Sequence, residues 1–418
     1  MINLKAKVIK KEYYKTEVGE IPTDWKVKRI SEIAEVNANT IKSNTPKDYE
    51  FFYYDLSAID KGRVSHPNEK IKFRDAPSRA KRLFDKSNIL MSTVRPNLQG
   101  FAFIDFDTEN CVSSTGFAVI KGKDRSDSMY LYQNLYSYGI TNQINRLIVG
   151  SNYPAINSND VKSLKIPYPQ NKSEREKITT ILSTWDKAIV LKEKLIEQKK
   201  EQKKGIMQKL LTGELRLPGY KEKWNVVGLA KIAKLSIGLV TTMTTNYVDH
   251  GVSLIRNSDI LPNKIKNYLI KLDKDFANKH KGRMLKKNDI VTVHTGEVGV
   301  SAVIEEELDG ALGFATLNTR LHSKEFDPYF ISYYFNSQKY KNFALRMSTG
   351  DGRNNFNLKD FRNSKVPKVP IKEQKAIVEV LSSIDKEIQL LMSQLDEYKT
   401  QKKGLMQLLL TGKVRVKA

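Results

Sequence analysis

Beyond Pro370 the apolar positions fall in alternating steps of four and three: Ile377, Leu381, Ile384, Ile388, Leu391, Leu395, Tyr398, Lys402, Leu405 and Leu409. A seam kept on that period for more than four heptads predicts a long helix that packs along another helix. The same register occurs upstream, at Ile178, Leu182, Trp185, Ile189, Lys192, Ile196, Lys199, Lys203, Ile206 and Leu210. Lys192 and Lys199 stand there where Leu391 and Tyr398 stand downstream, so the first helix is expected to be the less tightly specified partner. Each helix is predicted to run ~35 residues, about 50 Å. Pro167, Pro169, Pro367 and Pro370 are expected to stop the strand before each helix. Thr212-Gly213 and Thr411-Gly412 are expected to end each one. A plainer alternative is one amphipathic helix per half, each packed on its own domain.

The two helices belong to an internal repeat of about 200 residues. Trp25, Ile33 and Ala34 match Trp224, Ile232 and Ala233 at one offset. Gly150, Asn157, Asp160 and Pro167 match Gly350, Asn357, Asp360 and Pro367, and KKGIMQKLLTGELR matches KKGLMQLLLTGKVR. Between these anchors the halves diverge. SNILMSTV and NDIVTVHTG, followed by GFAFI and GVSAVI, read as strands with glycine turns. SMYLYQNLYSY and DPYFISYYFNS read as matching helices whose aromatic stripes belong to a core. The fold class expected is α+β: two mixed α/β domains separated by two long antiparallel coiled-coil helices, related by an internal pseudo-twofold. The boundaries expected are 1–170 and 214–371 for the domains, and 171–213 and 372–412 for the helices.

Charge narrows the partners. The 418-residue chain carries 71 Lys and Arg against 47 Asp and Glu, a formal +24. Such an excess points to nucleic acid, an anionic membrane or an acidic protein. No run of 18 apolar residues is present, which argues against a membrane partner. The N-terminus MINLKAKVIKKEYYKTEVGE has no apolar signal core, so a cytoplasmic location is expected. Cys111 is the only cysteine and is expected to be a small buried residue.

Catalytic signatures are missing from the sequence. There is no phosphate-cradling loop followed by Lys-Ser/Thr and no Asn-Pro-Pro-aromatic string of the amino-methyltransferase kind. His66, His250, His280, His294 and His322 show no metal-ligand spacing. The Glu-x-Lys strings at Glu197, Glu201, Glu373 and Glu397 fall on or beside the heptad helices, where they read as ordinary surface charges. The chain is expected to be no enzyme, with neither catalytic residues nor a metal site.

DNA-binding candidates lie in the divergent bodies. Arg74, Arg79, Lys81 and Arg82 in the first, and Arg283 and Lys286 in the second, suit phosphates. Arg95, Asn97 and Gln99, and Arg353, Asn354 and Asn355, sit in loop-like stretches and have the chemistry to read base edges.

The GEIPTDW start, Asn157 to Asp160 followed by IPYP, the helix ending KKGIMQKLLTG, and then the whole unit again resemble the specificity subunits of type I restriction-modification systems. The resemblance covers essentially the full chain; the second IPYP departs to VPKVP. It implies that each domain is a target-recognition domain reading one half of a bipartite, asymmetric double-stranded DNA site. It implies that the helices dock methyltransferase subunits, two of them, with Trp185, Ile189, Ile388, Leu391 and Leu395 as partner-binding candidates. S-adenosylmethionine, ATP and Mg are expected on partner subunits, restriction subunits included, and none on this chain. The alternative from another class is a coiled-coil scaffold that binds acidic proteins.

Overall fold

The computed structural model describes residues 12–149, 154–350 and 352–417. The chain folds as two compact units that are not contiguous in sequence: residues 1–192 with 394–418, and residues 193–393. A central helix, Lys172–Thr212, and a C-terminal helix, Ile371–Leu409, each run from one unit into the other. At 41 and 39 residues they exceed the length read from the seam, because both begin before its first apolar position.

Each unit holds two four-stranded sheets, one of which repeats strand for strand while the other keeps three strands and differs in its fourth. In the first unit, Ala34–Val36, Phe117–Gly122, Ile89–Ser92 and Phe101–Phe103 lie side by side, all antiparallel. In the second, Ala233–Ile237, Leu317–Leu321, Ile290–Thr292 and Ser301–Val303 repeat that order. Both other sheets contain one parallel pairing, Glu50–Tyr54 with Cys111–Ser114 and Val252–Arg256 with Leu312–Phe314. The repeat therefore continues through bodies whose sequences have diverged. The predicted hairpins pair a central strand with an edge strand in each sheet, in register Ile89 to Phe103 and Ile290 to Val303. Their residues are apolar on both faces, as strands covered on both sides require.

Pro169 ends its strand and Pro370 lies between strand and helix, as expected, but Pro167 and Pro367 do not stop theirs. Pro167 and Pro169 lie within Lys165–Pro169, paired with Trp25–Arg29, and Pro367 lies within Lys365–Lys368, paired with Asn225–Gly228. These ribbons have two strands only, so a missing N–H can face away from the partner. The aromatic stripes are core: Tyr130 and Phe330 are fully buried on Arg125–Leu135 and Pro328–Phe335. Asp327 caps the latter, accepting from the N–H groups of Tyr329 and Phe330.

The helices meet antiparallel within each unit. In the first, Trp185 stands edge-on to Tyr398 at 5.5 Å, and Lys192 donates to Gln394 at 3.0 Å with its ammonium over the Tyr398 ring. Lys402 pairs with Asp186 at 2.5 Å. In the second, Lys199 pairs with Glu387 and Lys203 with Asp385. The seam lysines thus specify the pairing instead of loosening it, because each has an acceptor on the facing helix. Asp186 and Asp385 also tie the helices to the domains, accepting from Gln133 Nε2 at 2.8 Å and from the Tyr333 hydroxyl at 2.7 Å.

The helix ends complete the domain cores. Met406, Leu409 and Leu410 pack with Ile21, Trp25 and Leu182 in the first unit; Leu210 and Leu211 pack with Leu229, Phe330 and Leu381 in the second. Burying a side chain of this size contributes about 1.5–3 kcal/mol. Gly213 and Gly412 then turn the chain at φ 76° and 70°. A Cβ on Gly412 would lie 2.5 Å from Pro22, so the turn admits glycine alone. Beyond it, Arg415 stacks on Trp25 and pairs with Glu174 and Asp24. Arg216, Trp224 and Glu373 make the same arrangement in the second unit. Glu373, read from sequence as a surface charge, is fully buried there, because its carboxylate accepts from both the guanidinium and the indole N–H.

Candidate nucleic-acid interface

In the first unit, the turn between Ile89–Ser92 and Phe101–Phe103 is a short 3-10 helix, Pro96–Leu98, flanked by Arg95 at φ 48° and Gln99 at φ 57°. Pro96 is buried and anchors the turn, while Arg95, Asn97 and Leu98 are exposed and Gln99 is half-buried. A second segment braces it. The Arg95 N–H donates to the Pro154 carbonyl at 2.6 Å, the Ile156 N–H to Thr93 at 2.9 Å, and Val94 and Val149 both bridge to Ala155. Left-handed backbone at an arginine costs about 1–3 kcal/mol and persists only where surrounding structure imposes it.

The second unit builds the same two-loop lip from other residues. The Phe356 N–H donates to His294 at 2.8 Å, the Gly296 N–H to Asn354 at 3.0 Å, and Thr295 and Thr349 both bridge to Asn355. Gly296, at φ 103°, takes the place of Arg95. Arg353 and Asn354 are exposed; Asn355 is half-buried and its Oδ1 has no partner. The His294 N–H donates to Asn257 Oδ1 at 2.8 Å, and burial holds the imidazole below the usual histidine range.

Sequence reasoning therefore found one loop of each lip and a different one in each unit. It passed over Val149, Pro154 and Ala155 in the first, and His294 to Glu297 in the second. Aligning the two hairpins would have paired them, since Asn88-Ile89 and Asp289-Ile290 share a register. Gly150, named above as a repeat match, falls outside the described residues.

The basic candidates divide. Arg79 is exposed, and Lys81 and Arg82 are half-buried on Ala80–Leu83. The Arg82 Nε is buried without a partner. Arg74 is paired with Asp48 at 2.7 Å and lies near Asp75, so its charge is largely balanced locally. Arg283 donates to the carbonyls of Ile237 and Gly238, and Lys286 is exposed. On the helices, Ile388 is buried and Trp185, Ile189, Leu391 and Leu395 are half-buried. A heptad seam faces its own partner helix. The exposed large apolar side chains are instead Val190, Leu191 and Leu195 on the central helix and Leu390, Met392 and Leu408 on the C-terminal helix.

No group of three or more His, Cys, Asp or Glu among the described residues is arranged to hold a metal ion. No helix among them is long and apolar enough to cross a membrane. Cys111 is buried, and burial pushes its thiol up.

The family described as type I restriction modification DNA specificity domain matches residues 22–200 and again 221–398. The chain belongs to that family. It is a specificity subunit of a type I restriction-modification system, the non-catalytic component, and the family carries no cofactor of its own. A Methanocaldococcus jannaschii chain designated the MjaX specificity subunit is 28% identical over 434 residues, covering 97% of each chain. The MjaVIII specificity subunit of the same archaeon is 25% identical over 430 residues, 98% of this chain and 97% of that one. Among solved structures, a chain from a study of assembly and conformational transition in a type I system aligns with TM-score 0.64 at 22% identity. It covers 94% of this specificity subunit and is itself 99% covered. The S subunit from M. genitalium aligns with TM-score 0.58 at 17% identity, covering 92% and 96%. Both share the fold.

Proposed function

We propose that each unit of this specificity subunit reads one half of a bipartite, asymmetric DNA site. One observation carries the reading: the two units hold the same braced lip, with Arg95 and Pro154 on one and Gly296 and Asn354 on the other. A shared frame with exchanged side chains is what two unlike half-sites require. Arg95, Asn97 and Gln99 read bases in the first unit; Arg353, Asn354 and Asn355 read them in the second, with His294 and Thr295 beside them. Arg79, Lys81, Arg82, Arg283 and Lys286 hold phosphates, and Arg74 contributes least.

The helices space the half-sites and dock two methyltransferase subunits. Val190, Leu191, Leu390 and Met392 offer the apolar contacts for docking. Methyltransferase subunits bring S-adenosylmethionine, and restriction subunits bring ATP and Mg, in the cytoplasm.

Methylome sequencing of a strain expressing the complex tests this. Replacing residues from about Lys42 to Asn145 with the equivalent body of a relative should change one half-site and leave the other. A change in both halves, or in neither, would overturn the assignment. Salt separates DNA reading from an acidic-partner scaffold, since duplex affinity should fall steeply between about 50 and 200 mM salt.

A further inference from the structure

Beside the lip of the second unit lies a surface unlike its surroundings. A depression of about 460 Å³ is lined by Val240 to Thr244, Tyr247, Phe314 and Ala315, with no charged side chain among them. Val240 is 64% exposed and Phe314 36% exposed, in a chain of net charge +24.

The surface is held rigidly. The Leu239 N–H donates to Gly313 at 2.7 Å and the Ala315 N–H to Leu239 at 2.8 Å, so Val240 and Phe314 project from adjacent backbones. A Cβ on Gly238 would lie 2.3 Å from the Gly313 carbonyl oxygen, so only glycine permits this approach. It also joins the lip. Asn257 accepts from the His294 N–H through Oδ1 and donates through Nδ2 to the Ala315 carbonyl at 3.2 Å. Arg283, on the Ile237 and Gly238 carbonyls, places a cation at its root, as a polyanion partner requires.

The first unit differs at this place. There Cys111–Ser114 pairs with Ala80–Leu83, which brings Arg79, Lys81 and Arg82. In the second unit Leu239 bridges Phe314 on the corresponding edge, and the cations give way to valine and threonines.

The C5-methyl of thymine is the apolar group that a base pair presents in the major groove, and threonine methyls, alanine and phenylalanine are the side chains that cover it. We propose that Val240, Thr242, Phe314 and Ala315 form a thymine-methyl subsite, so that the half-site read by the second unit contains an A·T pair recognised through that methyl. The proposal rests on the DNA-reading assignment above.

The test uses the complex with its methyltransferase subunits and duplexes carrying the target read from the methylome. Deoxyuridine replaces each thymidine in turn within the half-site of the second unit. At one position at least, affinity should fall about fourfold, the ratio that ~0.8 kcal/mol per buried methyl gives. Val240→Ser and Phe314→Ser should each reduce that thymine-to-uracil ratio toward one while leaving the other half-site unchanged. A half-site of G·C pairs only, equal affinity for thymine and uracil at every position, or a ratio that survives both substitutions would overturn the subsite. Those outcomes leave sequence-specific binding intact, so they are distinguishable from failure of the DNA-reading assignment, in which the complex would show no preferred sequence and both would fall.

Discussion

Arg95 occupies in the first unit the backbone position that Gly296 occupies in the second, each at positive φ and each donating its N–H to the bracing loop. Glycine is the residue such backbone favours, so the arginine is retained against conformational preference. Arg95→Gly should leave the thermal midpoint within a few degrees of the parent, with relief of ~1–2 kcal/mol of strain offset by a more flexible unfolded chain. Methylation at the first half-site should be lost or relaxed. A scanning melt with methylome sequencing checks both; a large drop in midpoint with normal recognition would show that Arg95 is structural.

Arg415 satisfies a Glu174 carboxylate that is almost wholly buried, and Arg216 does the same for Glu373. Removing one partner strands a charge, so Arg415→Ala should destabilise the first unit by about 3–5 kcal/mol. Glu174→Gln with Arg415→Met should recover much of that loss. Chemical denaturation of the single and double variants measures both, and equal stability of all three would refute the clamp.

Ile388 is buried in the C-terminal helix and would, as lysine, lack the acceptor that Lys203 finds in Asp385. Ile388→Lys should cost several kcal/mol and weaken subunit assembly without altering the sequence read. Asp385→Ala should act in the same direction, because it also strips the Tyr333 hydroxyl of its acceptor. Size-exclusion of the complex and methylome sequencing together decide it.

Burial keeps the His294 imidazole below its ordinary value of 6.5. As pH falls below that value the unfolded chain takes up a proton that the folded site resists, so the stability of the second unit should decline on acidification. His294→Gln should flatten the dependence. Denaturation midpoints at about pH 7.5 and about pH 5.5 for both proteins give the comparison; equal slopes would exclude His294 as the source.

If the helices set the gap between half-sites, lengthening both should widen it. An insertion at Leu211 to Leu217 is the wrong place, because Leu211 is core and Arg216 belongs to the clamp. One heptad inserted after Lys192 and another after Ser393 keeps the seam in phase and adds about 10 Å. The gap should grow by about three base pairs with both half-sequences retained. An unchanged gap with full methylation would remove the ruler.

The helices and hairpins were legible because each is a local period: the seam in steps of four and three, and apolar runs closed by glycine. The paired lysines were misread because pairing is non-local. Nothing near Lys203 in sequence announces Asp385. Glu373 was misread for the same reason, since its partners Arg216 and Trp224 arrive from the other end of the repeat. The lip was half legible: Arg95 and Arg353 stand out as cations among polar residues, whereas Gly296 and Pro154 act through their backbones and carry no chemical flag.

The tail that closes the first unit is made only after the whole of the second unit. Met406, Leu409, Leu410 and Arg415 belong to a core and clamp begun by Ile21 and Trp25, whereas the second unit has all its residues once Ser393 is available. At about 5–20 residues per second, the opening domain waits some tens of seconds on the ribosome for its missing pieces. The domain synthesised second is therefore the first able to finish folding, and a chain that stops after Ser393 has a first domain that is never sealed.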